Sequence, residues 1–222
     1  MADPETTPLI LFSGLAADST IFAPQKAEFP QLIVPSWRTP TRSDTLDSYA
    51  RRFAEEFEHL ENPVIGGASF GGIVALHVAQ YLHPSLIILI GSVRSPQELS
   101  PWIRGARLLH HLVPLIPVKL LQICAMPLTF QCSHKRWPHL SGLARQFVYS
   151  DPSTLRWSLA QLLRWRQPME LACPIRQIHG QQDRILPVRF TSPDVTVQGG
   201  HVISLINSSD VNRFIRNSLL MS

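Results

Sequence analysis

Three residues of this chain have the types needed to make and break an acyl bond: Ser69, Asp183 and His201. A serine hydroxyl is a weak nucleophile until an imidazole takes its proton, and a carboxylate behind the imidazole fixes its tautomer and balances the charge it gains. Ser69 ends the apolar run Val64-Ile65-Gly66-Gly67-Ala68 and precedes Phe70-Gly71-Gly72-Ile73-Val74-Ala75. That reads as a strand, a Gly-Xaa-Ser-Xaa-Gly turn and a helix, the local arrangement that lifts a hydroxyl above a sheet. Small residues are needed at 67 and 71, because a side chain there would meet the incoming strand or the outgoing helix.

Asp183 lies three residues past the strand-like run Ile175-Arg176-Gln177-Ile178-His179-Gly180, and His201 follows Val195-Thr196-Val197-Gln198-Gly199-Gly200. An acid just beyond a strand end can reach an imidazole on a neighbouring loop. Two other acids compete for that role: Asp194, which precedes a strand, and Glu98, in the loop after Leu86-Ile87-Ile88-Leu89-Ile90. Of the remaining histidines, His179 precedes the glycine of a buried strand and His77 falls on the helix after Ser69, so both read as packing residues. The order serine, acid, histidine is the one that a strand–turn–helix serine requires.

In these segments the chain resembles the α/β-hydrolase superfamily, its small esterase-like members in particular. Their signature reads Gly-Xaa-Ser-Phe-Gly-Gly, then His-Gly-Xaa-Xaa-Asp-Xaa-Xaa-Xaa-Pro, then Gly-Gly-His, and the likeness runs over nearly the whole chain from Pro8-Leu9-Ile10-Leu11-Phe12-Ser13-Gly14-Leu15 onward. The resemblance implies a serine hydrolase that cleaves an ester or thioester through an acyl-enzyme on Ser69, with Asp183 and His201 completing the triad. It also implies an oxyanion hole made by the backbone N–H groups of Phe70 and Leu15. An acyltransferase or carbon–carbon-bond hydrolase on the same triad, or a non-catalytic binder that kept the fold, are the alternatives. Two departures stand out. Ser13-Gly14 occupies the place where relatives often carry His-Gly, and only 18 positions separate Asp183 from His201, so the helix usual between the last two strands must shrink to a turn around Val188-Arg189-Phe190.

The elements that must hold these residues alternate strand and helix, as a doubly wound, mostly parallel α/β sheet requires. Strands are predicted near 8–12, 31–34, 63–67, 86–91, 175–180 and 194–197, with helices near 46–60, 72–82 and 206–220. No sequence remains for the antiparallel hairpin with which the family usually begins, so about six strands are expected. Leu46, Tyr49, Ala50, Phe53 and Phe57 share one helical face, which marks 46–60 as a packing helix.

Residues 94–174 do not fit a single crossover helix, and in the family this interval carries a helical cap inserted between core segments 1–93 and 175–222. It holds ten Lys/Arg against three Asp/Glu, a net of +7, while the rest of the chain is at −3. Four of the five tryptophans lie here, Trp102, Trp137, Trp157 and Trp165. Leu155, Leu159, Leu162 and Leu163 read as packing against the sheet, with Arg156, Arg164 and Arg166 solvated. Over a serine nucleophile, an apolar and basic lid suits a small-molecule acyl substrate that is anionic or lipid-like, with Trp102 and Trp157 as candidate substrate-binding residues. Basic charge without interleaved aromatic stacking residues gives no expectation of nucleic acid.

Neither a metal nor an organic cofactor is expected, since no ligand cluster or phosphate-binding glycine loop is present. Cys124, Cys132 and Cys173 are irregularly spaced and read as reduced thiols of a cytoplasmic protein. The first eight residues lack a basic, then apolar, leader pattern. The apolar stretch Leu108 to Leu128 is broken by three prolines and by His110, His111, Lys119 and Gln122, so no transmembrane helix is expected.

Overall fold

The computed structural model describes residues 6–41, 43–131, 138–166 and 171–221, with side chains described outside 127–143. Trp137 and Cys132 lie outside the described residues. Six strands form one sheet: β1 (Leu9–Phe12), β2 (Leu32–Ile33), β3 (Val64–Ala68), β4 (Leu86–Ile90), β5 (Ile175–Gly180) and β6 (Val195–Val197). Their order is β2-β1-β3-β4-β5-β6, and every pairing is parallel.

The central strands are continuous apolar runs because both faces of the sheet are covered. Alternation divides them: Ile10, Phe12, Ile65, Ile87 and Leu89 face one core layer, and Leu9, Leu11, Val64, Ile88 and Ile90 face the other. The first layer is closed by α2 (Leu46–Phe57) and α3 (Phe70–Leu82). The second is closed by Ile21, Phe22 and Phe29, which flank α1 (Ala23–Glu28), and by the C-terminal helices. Thr45 and Ser48 form a reciprocal capping box that starts α2, and Tyr49, Phe53 and Phe57 are buried from its inner face.

Between β4 and β5 the chain runs through α4 (Pro101–Gly105), a 3₁₀ stretch Ala106–Leu115, α5 (Val118–Gln131), α6 (Pro138–Tyr149) and α7 (Pro152–Arg164). The connection from β5 to β6 holds only a 3₁₀ turn at Val188–Phe190, the contraction expected from the short interval. The last elements are α8 (Ile203–Ile206), a short helix the periodicity does not predict, and α9 (Ser208–Leu220), the helix predicted over 206–220. Asn207 parts the two helices with φ −114° and ψ 38°, outside the helical region, and its side chain donates to the Gln198 carbonyl (3.0 Å).

Candidate active site

Ser69 sits between β3 and α3 with φ +52° and ψ −124°, a conformation that only a strongly constrained non-glycine residue adopts. The constraint is visible on every side. A Cβ at Gly71 would collide with the Phe12 and Ser13 carbonyls, and one at Gly67 would lie 2.5 Å from the Gly71 backbone. Ser69 N–H donates to the Ile90 carbonyl (3.1 Å), and Ser92 Oγ–H donates to the Ser69 carbonyl (2.6 Å). Ser92 was not evident in the sequence as a site residue, since nothing in its local pattern shows that β4 ends beside the turn.

The loops after β5 and β6 are tied together by backbone bonds from Gln181 to Val197 (2.9 Å) and from Gln182 to Gly199 (2.8 Å). This stapling presents His201 although the segment that separates it from Asp183 is short. His201 Nδ1 lies 2.7 Å from Asp183 Oδ2 and His201 Nε2 lies 2.8 Å from Ser69 Oγ. An ionised carboxylate only accepts, so the proton must sit on Nδ1, leaving Nε2 of the neutral ring to accept from the serine hydroxyl. Serine, histidine and aspartate are thus joined in one hydrogen-bonded line.

Asp183 is buried, which alone would raise its pKa. Donors from His179 and His201, with the Leu186 N–H, reverse that and hold its carboxyl well below the usual range. Its Oδ1 accepts from the N–H groups of Ile185 (2.8 Å) and Leu186 (2.9 Å). Its Oδ2 meets not only His201 but also His179 Nε2 at 3.1 Å. His179 is therefore more than the packing residue the sequence suggests. Its Nε2 faces two acceptors, the Leu186 carbonyl (2.7 Å) and Asp183, and so carries a proton.

The other two acids are engaged elsewhere. Asp194 pairs with Arg94 (2.5 Å) and Arg176 (3.6 Å) and accepts from the Gln177 N–H (2.7 Å). Glu98 accepts from the Arg94 N–H (2.7 Å) and Gln177 Nε2 (3.3 Å). His77 is buried under Trp165, whose Nε1–H donates to His77 Nε2 (3.1 Å), and burial pushes its pKa down to about 4. That histidine packs neutral, in keeping with its sequence reading.

Phe70 is the first residue of α3, so its N–H has no intrahelical acceptor. Gly14 lies against the serine: a Cβ there would be 3.6 Å from Ser69 Cβ. Leu15 follows it, in a loop closed by Ala17 N–H to the Gly14 carbonyl (3.1 Å) and by Ser13 Oγ–H to the Ala17 carbonyl (2.8 Å). Among the described residues the Leu15 N–H takes no acceptor.

This loop helps to line a cavity of about 350 Å³. Ser13, Leu15 and Ala16 form one wall, Trp37 another, and Tyr149 and Leu155 a third. It adjoins the triad rather than containing it, since neither Ser69 nor His201 is on its lining. The Trp37 ring reaches Phe70 at 5.9 Å, and Trp157, held by its Nε1–H to the Asp44 carbonyl (2.9 Å), reaches Phe70 at 6.3 Å. Neither of the two tryptophans expected to bind substrate lines the cavity: Trp102 is 71% exposed on α4, and Trp157 packs against the core. Asp18 and Asp151 line it, and among the described residues no Lys or Arg does. Among the described residues no group of three or more His, Cys, Asp or Glu is placed to hold a metal ion.

No family model and no curated protein sequence matches the chain. Solved structures do. A thermophilic esterase from Thermogutta terrifontis, with malate bound, is 19% identical with a TM-score of 0.76, over 100% of this chain and 92% of that one. MenH from S. aureus is 17% identical with a TM-score of 0.71, over 99% and 96%. The enol-lactonase from Burkholderia xenovorans is 14% identical with a TM-score of 0.70, over 100% and 95%. The whole chain therefore has the α/β-hydrolase fold.

Proposed function

We propose that this α/β-hydrolase fold carries a serine hydrolase, one that cleaves a carboxylic ester or thioester through an acyl-enzyme on Ser69. The observation that supports it most is the unbroken proton path from Ser69 through His201 to Asp183, at 2.8 and 2.7 Å, in a turn strained to φ +52°. That strain has no evident structural use except to present the hydroxyl. The esterase and lactonase names borne by structures of the same fold support the same reaction class.

In this mechanism His201 Nε2 takes the Ser69 proton as Oγ bonds to the substrate carbonyl carbon. Asp183 holds the imidazolium that forms. The negative oxygen of the tetrahedral intermediate is stabilised by the Phe70 N–H, at the positive end of α3, and by the Leu15 N–H. Collapse of the intermediate breaks the bond to the alcohol or thiol, which takes the proton from His201. Water then attacks the acyl carbonyl with His201 as base, the bond to Ser69 Oγ breaks, and a carboxylic acid leaves.

Residues 94–174 act as a helical cap on the core formed by 1–93 and 175–222, and the cavity under it receives one side of the substrate. Among the described residues the lining holds two carboxylates and no cation, which favours a neutral, hydroxyl-tolerant group over an anionic one. Its volume is near the lower end for ligand sites, which favours a short acyl group. A panel of p-nitrophenyl esters of increasing acyl length tests the reading. Turnover in water with a short-chain optimum is the expected result. Release of nitrophenol only when an alcohol acceptor is added would make the enzyme an acyltransferase.

A further inference from the structure

We propose that the bent helical pair formed by Pro101–Leu115 and Val118–Met126 is a docking surface for an anionic lipid membrane. The two arms are apolar enough in composition to enter a bilayer, but they meet at 84° across a two-residue break. Among the described residues no single helix is long and apolar enough to cross a membrane. A bent, one-sidedly apolar element is suited to lie in the interface instead.

Its apolar side chains face outward. Leu108 is 80% exposed, Leu115 75% and Ile123 60%, with Leu109, Leu112 and Leu120 also exposed. In the 3₁₀ stretch Ala106–Leu115 residues three apart share a face, so Leu109, Leu112 and Leu115 form one continuous apolar row. The opposite side is anchored: Val113 and Val118 are buried, and the Arg156 Nε–H donates to the Ile116 carbonyl at the bend (3.0 Å). A buried inner side and an exposed leucine row are not what a water-facing surface requires.

Charge identifies the occupant. Residues 99–150 contain six Lys/Arg and no Asp or Glu, and Arg104, Arg107 and Lys119 lie on the pair itself. Leucines flanked by cations of one sign complement an anionic lipid surface, where each Lys or Arg strengthens binding roughly fivefold. A second copy of the chain fits poorly, because a two-fold contact would set this one-sign patch against itself. The surface also lies close to the proposed substrate cavity. Gln122 of α5 donates to the Phe147 (2.9 Å) and Ser150 (2.8 Å) carbonyls, and Ser150 lines the cavity. Docking would hold that wall beside the lipid headgroups.

Co-sedimentation of the full chain with vesicles tests this. Binding to equimolar phosphatidylcholine and phosphatidylglycerol is expected to exceed binding to phosphatidylcholine alone by at least about tenfold, and to fall in about 1 M salt, where the Debye length is about 3 Å. The double variant Leu108→Ser/Leu115→Ser is expected to lose at least about tenfold in binding. Its thermal midpoint should be unchanged, since both side chains are exposed. Arg104→Gln/Arg107→Gln is expected to weaken binding to the anionic vesicles only. Equal or absent sedimentation with both vesicle types overturns the proposal. So does a double leucine variant that binds like the parent, or a dimer that buries the patch and leaves vesicles unbound.

Discussion

His179 and His201 share one oxygen: Asp183 Oδ2 lies 3.1 Å from His179 Nε2 and 2.7 Å from His201 Nδ1. The proposed catalytic acid is therefore held by a second histidine that is wholly buried and bound at the same nitrogen to the Leu186 carbonyl. His179 is a positioning residue, acting on the chemistry through Asp183. Replacing it with leucine is expected to lower kcat roughly tenfold, about 1.4 kcal/mol, with little change in KM. With one donor gone, Asp183 binds protons more readily and leaves more charge for its partner, so the acidic limb of the pH–rate profile moves upward. His179→Gln, which keeps a donor at similar reach, is expected to restore part of the rate and return the limb. A role in packing alone would leave the limb where it is.

The identity of the acid is separable by mutation. Asp183→Asn is expected to lower turnover by roughly 10⁴ through the wrong imidazole tautomer while the fold persists. Asp194→Asn removes the partner of Arg94 and Arg176 and is expected to lower the thermal midpoint with turnover within a few-fold. Comparable losses of turnover in both variants would remove Asp183 from its assigned role.

His77 gives the fold a pH dependence of known sign. Its folded pKa of about 4 lies below the ordinary histidine value of 6.5, so the unfolded chain binds more protons between those limits. Stability is therefore lost as pH falls from about 6.5 to 4, by about 3 kcal/mol at most. Denaturation midpoints measured across this window are expected to fall in the parent and to lose much of that slope in His77→Gln. A slope unchanged by the substitution would show that other groups carry it.

Ester selectivity separates Trp157, packed beside the turn, from Trp102, exposed on α4. Trp157→Ala removes a ring 6.3 Å from Phe70 and 4.4 Å from Tyr49, and is expected to shift the short-to-long ester preference roughly tenfold in kcat/KM. Trp102→Ala, on an exposed side chain, is expected to leave it unchanged. Equal shifts in both would place the acyl group along α4 instead.

Much of this was legible in the sequence, for physical reasons that differ by residue. Ser69 could be read because a strained strand–helix turn needs glycines at 67 and 71, and His201 and Asp183 because each follows a short apolar strand. The central strands β1, β3 and β4 were legible because strands covered on both faces must be continuously apolar. Long-range contacts were not legible. Ser92 and His179 acquire their roles only when β4 ends beside the turn and β5 beside the histidine loop, which no local spacing encodes. The basic excess of 94–174 was evident, but the fold was needed to show that none of its described Lys or Arg residues lines the cavity beside Ser69. Trp37, the single tryptophan outside that segment, stood apart from every motif and proves to flank Phe70.

The central claim is that Ser69 is a nucleophile activated by His201, and covalent labelling with a fluorophosphonate read by intact mass tests it most directly. One adduct per chain is expected for the parent, on the peptide containing Ser69. No adduct is expected for Ser69→Ala, and a rate lower by orders of magnitude for His201→Ala, with both variants folded by circular dichroism. A folded parent that takes no label, or a Ser69→Ala variant labelled as fast as the parent, would contradict the account.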